Sequence, residues 1–216
     1  MIYIILGAIG AYLIGSFPTA VWYGKLFFGL DVREHGSGNA GATNTFRVLG
    51  KKPGIVVMLV DVLKGWAATQ SVVILFNNGL IEQDHIIIFK LVFGILAVVG
   101  HIFPIYAQFK GGKGIATGLG MILSINIETA LICMLVFFIV FLLSRYVSLG
   151  SMIAALAFPV ILLMVPKFHQ DGPIEIVFGF AIFAIVVLTH QKNIKRLLNG
   201  EESKIFLRVR KNKDRF

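Results

Sequence analysis

The run Glu34-His35-Gly36-Ser37-Gly38-Asn39-Ala40-Gly41-Ala42-Thr43-Asn44 is a glycine-punctuated polar stretch in a chain that is otherwise mostly hydrocarbon. Glycine permits positive φ and close backbone approach, so successive amides can turn into one concavity. Ser37, Asn39, Thr43 and Asn44 add short donors and acceptors, and Arg47 follows with a permanent charge. This set suits a multiply charged oxyanion, most simply a phosphate. A second run, Lys110-Gly111-Gly112-Lys113-Gly114, repeats the chemistry with two ammonium groups. It is not a Walker A sequence, because Gly114 stands after Lys113 where Ser or Thr is required and the upstream glycine is missing. Amides and ammonium groups still bind phosphate without that match. Thr117 is placed to cap the next helix, whose N-terminal dipole would also favour an anion. Either loop alone could be a plain turn between helices; two in one small chain favour function.

Other polar residues stand at the ends of apolar runs. Ser148 follows Arg145-Tyr146 and reads most simply as a helix cap. His190 and Asn193 are three apart and share a helical face, with Arg196 one turn onward. They either close a pocket over the phosphate loops or merely hem a helix end. Asp61 and Lys64, also three apart, lie within an apolar run, where an isolated charge costs about 2.5–3.5 kcal/mol or more. They are expected to pair as a structural bridge. His101 ends another run and reads as a structural group. No GxSxG elbow, histidine–aspartate acyltransferase box or CxxC pair is present. The histidines are scattered without ligand spacing, so metal binding is poorly supported, and no cofactor is expected. Phosphate-binding loops without an evident nucleophile point to chemistry by positioning and charge stabilisation.

The elements that must carry these residues are membrane spans. The 216 residues are 57% hydrophobic and only 14% charged, against about 25% charged in a soluble domain. The mean hydropathy is +0.85. These values predict one all-α, polytopic integral membrane domain. Apolar runs predict spans from Ile2 to about Trp22, with Pro18 kinking or ending it, then Gly54 to Phe76 and Ile86 to Tyr106. Further spans are Ile115 to Ile125 (short, so half-length or tilted), Thr129 to Leu143, Leu149 to Val165 and Ile174 to Thr189. That makes about seven, or six if the short one is re-entrant. A short helix from Thr45 to Leu49 is expected after the first loop. Gly7, Gly10 and Gly15 offer close helix contacts in the first span. That span lacks a basic leader and a cleavage site and reads as retained. Cys133, the only cysteine, reads as a small core or lipid-facing residue.

Lys and Arg in the connections set orientation. Lys25, Arg33, Arg47, Lys51, Lys52, Lys110, Lys113 and Arg145 fall on one side. The C-terminal stretch joins them, with Lys192, Lys195, Arg196, Lys204, Arg208, Arg210, Lys211, Lys213 and Arg215. The other side has Lys90 and Lys167 beside Glu82, Asp84, Glu128, Asp171 and Glu175. The N-terminus is therefore expected outside, the C-terminus in the cytoplasm, and both glycine loops on the cytoplasmic face. Topology and lipid headgroups account for the net charge of +9, so nucleic acid is not an expected partner.

These residues resemble a known family. Ser16-Phe17-Pro18, the run from Asp31 to Asn44, and Arg47-Val48-Leu49-Gly50 are similar to the first signature of the bacterial PlsY family. Gly100-His101-Ile102-Phe103-Pro104 with Phe109 to Thr117 resembles its second. His190, Asn193, Arg196, Gly200, Glu202 and Lys204 resemble its C-terminal signature, and Asp61-Val62-Leu63-Lys64-Gly65 resembles a further element. The resemblance implies a seven-helix enzyme of the bacterial inner membrane with its active site facing the cytoplasm. Its implied reaction moves a fatty acyl group from acyl phosphate to the 1-hydroxyl of glycerol 3-phosphate. The products are 1-acylglycerol 3-phosphate (lysophosphatidic acid) and phosphate, and neither acyl-CoA nor acyl carrier protein is the donor. By position, Ser37, Arg47 and Lys113 are implied to hold phosphate, His190 and Asn193 to hydrogen-bond the reacting groups, and the glycines around Lys113 to shape the glycerol 3-phosphate site. Gly36, Gly38, Asn39, Thr43, Asn44, Lys110, Gly111, Gly112, Gly114, Ser148 and Arg196 are expected to line or shape the substrate and phosphate sites. A substrate phosphate or His190 is the base, with Ser37 as nucleophile a weaker option. Membrane lipid and, functionally, a soluble enzyme that makes acyl phosphate are the implied partners. The competing reading is an organophosphate transporter or exchanger. It would place its site near the midplane, often between internal repeats, and no repeat is visible.

Overall fold

The computed structural model describes residues 1–168 and 172–205. Asp171, Arg208, Arg210, Lys211, Lys213 and Arg215, which enter the orientation argument, lie outside them. The first span is broken where proline requires it. Helix α1 (Ile2–Gly15) ends before Pro18, which has no amide hydrogen to continue the ladder, and α2 (Thr19–Phe28) leaves at 44°. Helix α3 (Ala42–Val48) starts earlier than the expected Thr45, and α4 (Lys51–Gln70) earlier than the expected Gly54. At the far end of α4, Ser71 Oγ donates to the Ala68 carbonyl and a short α5 (Val72–Asn77) follows. Helix α6 (Ile86–Ile102) stops short of the expected Tyr106, because Pro104 disfavours helical backbone at Phe103.

The remaining helices are α7 (Ile115–Ile125), α8 (Ile127–Ser144), α9 (Val147–Met164), α10 (Ile174–Thr189) and α11 (Gln191–Leu198). No strand occurs among the described residues. Among the described residues, four stretches are long and apolar enough to cross a membrane: Lys51–Asn77, Gln83–Ala107, Ile127–Ser144 and Val147–Met164. Two bent pairs, α1–α2 and α10–α11, bring the number to as many as six. The 11 residues of α7 are apolar, but at about 1.5 Å each they cover only about half of a ~30 Å hydrocarbon layer. The last span ends at Thr189 as expected, but a bend of 64° at His190 corrects the shared helical face: His190 stands at the break, and Asn193 and Arg196 lie on a separate amphipathic helix.

Backbone proximity sets the arrangement. A Cβ on Gly65 of α4 would fall on the Thr117 backbone of α7, and one on Gly120 of α7 would fall on the Val62 carbonyl of α4. Helices α1 and α6 are interlocked likewise, with Gly15 on Ala97 and Gly100 on Tyr12. Without a hydrophobic drive in lipid, this close approach is what small residues supply. Gly7 meets the Phe93 ring, whereas Gly10 has nothing within 4 Å. Leu91, Met121, Phe158, Leu162 and Ile182 join α6, α7, α9 and α10 in one core, which also holds Cys133 from α8. Many large apolar side chains, Leu59, Leu143 and Leu163 among them, point outward, as a lipid-facing surface requires. The packing brings the end of α6, the start of α7, the α2–α3 loop and the α10–α11 break together.

Candidate active site

The first glycine loop is built around Asn44. Its Oδ1 accepts from the Ser37 amide (2.8 Å) and the Ser37 hydroxyl (3.1 Å), and its Nδ2 donates to the carbonyls of Val32 (2.8 Å) and His35 (3.1 Å). Asn44 is 1% exposed, so it shapes the loop from within. Gly36 turns with φ +61°, and a Cβ there would collide with Asn44 Oδ1, so glycine is required on both counts. A clamp ties this loop to the next. Asp31 takes Arg33 through both carboxylate oxygens (3.0 and 2.7 Å), and Arg33 Nη1 donates to the Ala107 carbonyl at 2.9 Å. The Arg33 guanidinium holds the Asp31 carboxyl well below the usual carboxylate range.

Ser37, Gly38 and Asn39 form one wall of a concavity of about 160 Å³, facing Lys113, Thr189, Lys192, Asn193 and Arg196. The Lys113 ammonium donates to Asn193 Oδ1, and Asn193 Nδ2 donates to Glu202 Oε1 at 2.7 Å. An ammonium only donates and a carboxylate only accepts, so these two partners fix which way the Asn193 amide points. Glu202 also accepts from Ser148 Oγ on Oε1 and from Arg196 Nε on Oε2, both at 2.7 Å. Burial would raise the Glu202 carboxyl, but the bonds from Arg196, Ser148 and Asn193 outweigh it and hold it below its ordinary value. Burial pushes Lys113 down to about 8; Glu202 opposes the fall, while Arg196 and Arg47 add to it. The result is a small, open, cationic hollow lined by Lys113, Lys192 and Arg196 beside a glycine loop.

The structure therefore brings together Ser37, Gly38, Asn39, Lys113, Asn193 and Arg196 from the expected set. Gly112 and Gly114 are buried beneath Lys113, against His101 and Val98 respectively, and Gly111 packs on the end of α6. Arg47 is exposed, near enough to Gly36 and Lys113 to be felt, but it does not line the hollow. Thr43 and Lys110 do not line it either. Ser148 is not the cap of α9, which is Tyr146; its hydroxyl is committed to Glu202. Thr117 does not cap α7: Gly114 occupies that position, and the Thr117 hydroxyl is buried. His190 is 2% exposed behind Thr189, with Nδ1 2.8 Å from the Val186 carbonyl. A carbonyl only accepts, so Nδ1 carries the proton. Ser37 Oγ donates to an amide oxygen rather than to a base. Thr189 and Lys192 were not singled out for the site, although Thr189 is adjacent to His190 and Lys192 to Asn193 in the sequence.

The model of the family described as glycerol-3-phosphate acyltransferase matches residues 5–200. This chain belongs to that family. The glycerol-3-phosphate acyltransferase of Chlorobium phaeobacteroides (strain BS1) is 42% identical over 90% of this chain and 93% of its own length. That of Chlorobaculum tepidum is 40% identical with the same coverage. Among solved structures, PlsY (YgiH), an integral membrane glycerol 3-phosphate acyltransferase, superposes in its glycerol 3-phosphate form with a TM-score of 0.82 at 35% identity. That match covers 94% of this chain and 96% of the other. Its lysophosphatidic acid form superposes with a TM-score of 0.79 at 33% identity. Membership accounts for the combination seen here, phosphate-sized cationic chemistry on an all-helical membrane scaffold.

Proposed function

We propose that the hollow between Ser37 and Arg196 binds the phosphates of glycerol 3-phosphate and of an acyl phosphate, and that acyl transfer takes place there. One observation carries this reading: the glycine loop at Ser37–Asn39 faces three cations, Lys113, Lys192 and Arg196, across one small cavity in a glycerol-3-phosphate acyltransferase. Relatives crystallised in glycerol 3-phosphate and lysophosphatidic acid forms support the acceptor and the product.

In the proposed reaction the 1-hydroxyl oxygen attacks the acyl carbonyl carbon, and the bond from that carbon to the phosphate oxygen breaks. Inorganic phosphate leaves and 1-acylglycerol 3-phosphate remains. Acyl phosphate is already activated, so no covalent acyl-enzyme is needed. Lys113, aimed by Asn193, and Arg196, held by Glu202, offset charge on the substrate and leaving phosphates, the largest kind of contribution a preorganised site makes. Ser37 and Gly38, whose amides are bonded to Asn44 and to the His35 carbonyl, shape the wall that faces the phosphate rather than donating those amides to it. The hydroxyl proton passes to the substrate's own phosphate. His190 is disfavoured as base because its ring is buried behind Thr189 with Nδ1 committed to Val186. Ser37 is disfavoured as nucleophile because its hydroxyl donates to Asn44.

The same reading places the hollow on the cytoplasmic face of a bacterial inner membrane, with seven spans, α7 being the short one, and the N-terminus outside. A separate soluble enzyme would supply the acyl phosphate. The test uses purified protein, palmitoyl phosphate and labelled glycerol 3-phosphate without acyl-CoA. Lysophosphatidic acid matched by released phosphate is the expected result. Product with acyl-CoA alone would overturn the donor. No product with any donor, from folded protein, would make organophosphate transport the better account.

A further inference from the structure

Four polar side chains that the proposed reaction does not touch meet inside the helical bundle. Asp61 of α4 is 1% exposed. Its Oδ1 accepts from Thr19 Oγ1 of α2 at 2.9 Å and lies 2.7 Å from Lys64 Nζ and 3.6 Å from His101 Nδ1 of α6. Lys64 Nζ also donates to the Phe17 carbonyl (2.9 Å), in the break between α1 and α2. None of the four lines the hollow that holds Lys113.

A buried ion pair is weak evidence for stability, since apolar residues of the same volume often do as well. What such a cluster does supply is a fixed register between the elements it joins. Here those elements are the α1–α2 break, the middle of α4 and the last turn of α6. From that last turn the connection to the site is one residue long. The Gly112 amide donates to the His101 carbonyl and the Gly111 amide to the Ile102 carbonyl, both at 3.1 Å. The His101 ring fills the space where a Gly112 Cβ would stand, with Nε2 facing that position and Nδ1 facing Asp61. Lys113 is the next residue, and its ammonium reaches Asn193.

We propose that Asp61, with Lys64 and His101, is a positioning set for the second glycine loop. Asp61 orients the His101 ring by charge across 3.6 Å, without a hydrogen bond to Nδ1, the ring seats Gly112, and Gly112 sets the depth and aim of Lys113. This rests on the assignment of Lys113 to phosphate binding.

The test is a double-mutant cycle on the full-length protein in detergent, with KM for glycerol 3-phosphate and kcat measured for each variant. Asp61→Asn is expected to raise KM about 10-fold and to change kcat less than about 3-fold, the pattern of lost ground-state binding. In a Lys113→Ala background the same substitution is expected to change KM less than about 2-fold, because groups that act through one another are not additive. A bridge with a purely structural role would lower thermal stability without this dependence on Lys113. His101→Gln, which leaves the Asp61–Lys64 pair intact, carries the same cycle if Asp61→Asn does not fold. Unchanged KM in folded Asp61→Asn, or full additivity with Lys113→Ala, would overturn the proposal. Wild-type KM and kcat in Lys113→Ala would overturn the assignment of Lys113 itself, and this proposal with it.

Discussion

Lys113 and Asn193 are 80 residues apart in sequence, and the ammonium of the first donates to the side-chain carbonyl oxygen of the second. The bond closes the site between the second glycine loop and α11, and Glu202 completes it by taking the other end of the Asn193 amide. Lys113→Ala is expected to lower kcat/KM at least ~10-fold, which is about 1.4 kcal/mol of transition-state stabilisation. Arg47→Ala is also expected to lower kcat/KM by at least ~10-fold, acting through charge from the rim and not through contact with the hollow. Steady-state kinetics at saturating and subsaturating substrate check both, and near-wild-type values would remove these residues from the reaction.

The sequence made the two glycine loops and the apolar runs legible, because both are local patterns. Pro18 marks the break after α1 by its chemistry alone, and Gly36, Ser37 and Asn44 lie within one short stretch of sequence that runs from the loop into α3. The contacts that finish the site are not local. Ser148 meets Glu202 across 54 residues, so its commitment shows only once α9 and the segment after α11 are packed together. The Asp61–Lys64 pair was readable from helical spacing, but its third member, His101, comes from another helix. The end of the last span at Thr189 was legible, but no proline or glycine announces the turn at His190, so helical spacing put His190, Asn193 and Arg196 on one continuous face.

Glu202 gathers Ser148, Asn193 and Arg196 on one carboxylate. Replacing it leaves three donors without an acceptor, whereas replacing Ser148 removes one bond. Glu202→Ala is expected to lower kcat/KM at least ~100-fold and Ser148→Ala about 10-fold, since one bond to a charged group is worth about 1.5–3 kcal/mol and about 1.4 kcal/mol is tenfold. Kinetics on the two variants side by side, with thermal unfolding in detergent to establish folding, decide it. Equal effects would mean that Ser148 has a role beyond holding Glu202.

The depressed Lys113 makes a pH signature. Its ammonium form is the one that binds phosphate, so that binding is lost as pH rises through about 8. The pH profile of kcat/KM is expected to show a descending limb there, reporting the free enzyme. Glu202 raises Lys113, so Glu202→Gln should move the limb to lower pH. Lys113→Arg should carry it beyond about pH 10, since a guanidinium does not titrate in that range. A limb that stays in place in Lys113→Arg would belong to another group.

His190 separates a base from a positioning residue. Its Nδ1–H donates to the Val186 carbonyl, which also accepts the His190 backbone amide at the end of α10. That bond holds the turn from which α11 departs, and Asn193 and Arg196 ride on α11. Loss of the ring should therefore tilt both out of the hollow, and His190→Ala is expected to lower kcat at least ~10-fold while the protein stays folded. Asparagine can donate from its amide nitrogen toward the same carbonyl but cannot accept a proton at neutral pH. If His190 positions α11, His190→Asn should recover most of the activity lost in His190→Ala. If it is the base, the two variants should be equally impaired, and the proton would have to pass to the imidazole instead of to the substrate phosphate. The kcat of the two variants, measured at saturating concentrations of both substrates, distinguishes these outcomes directly.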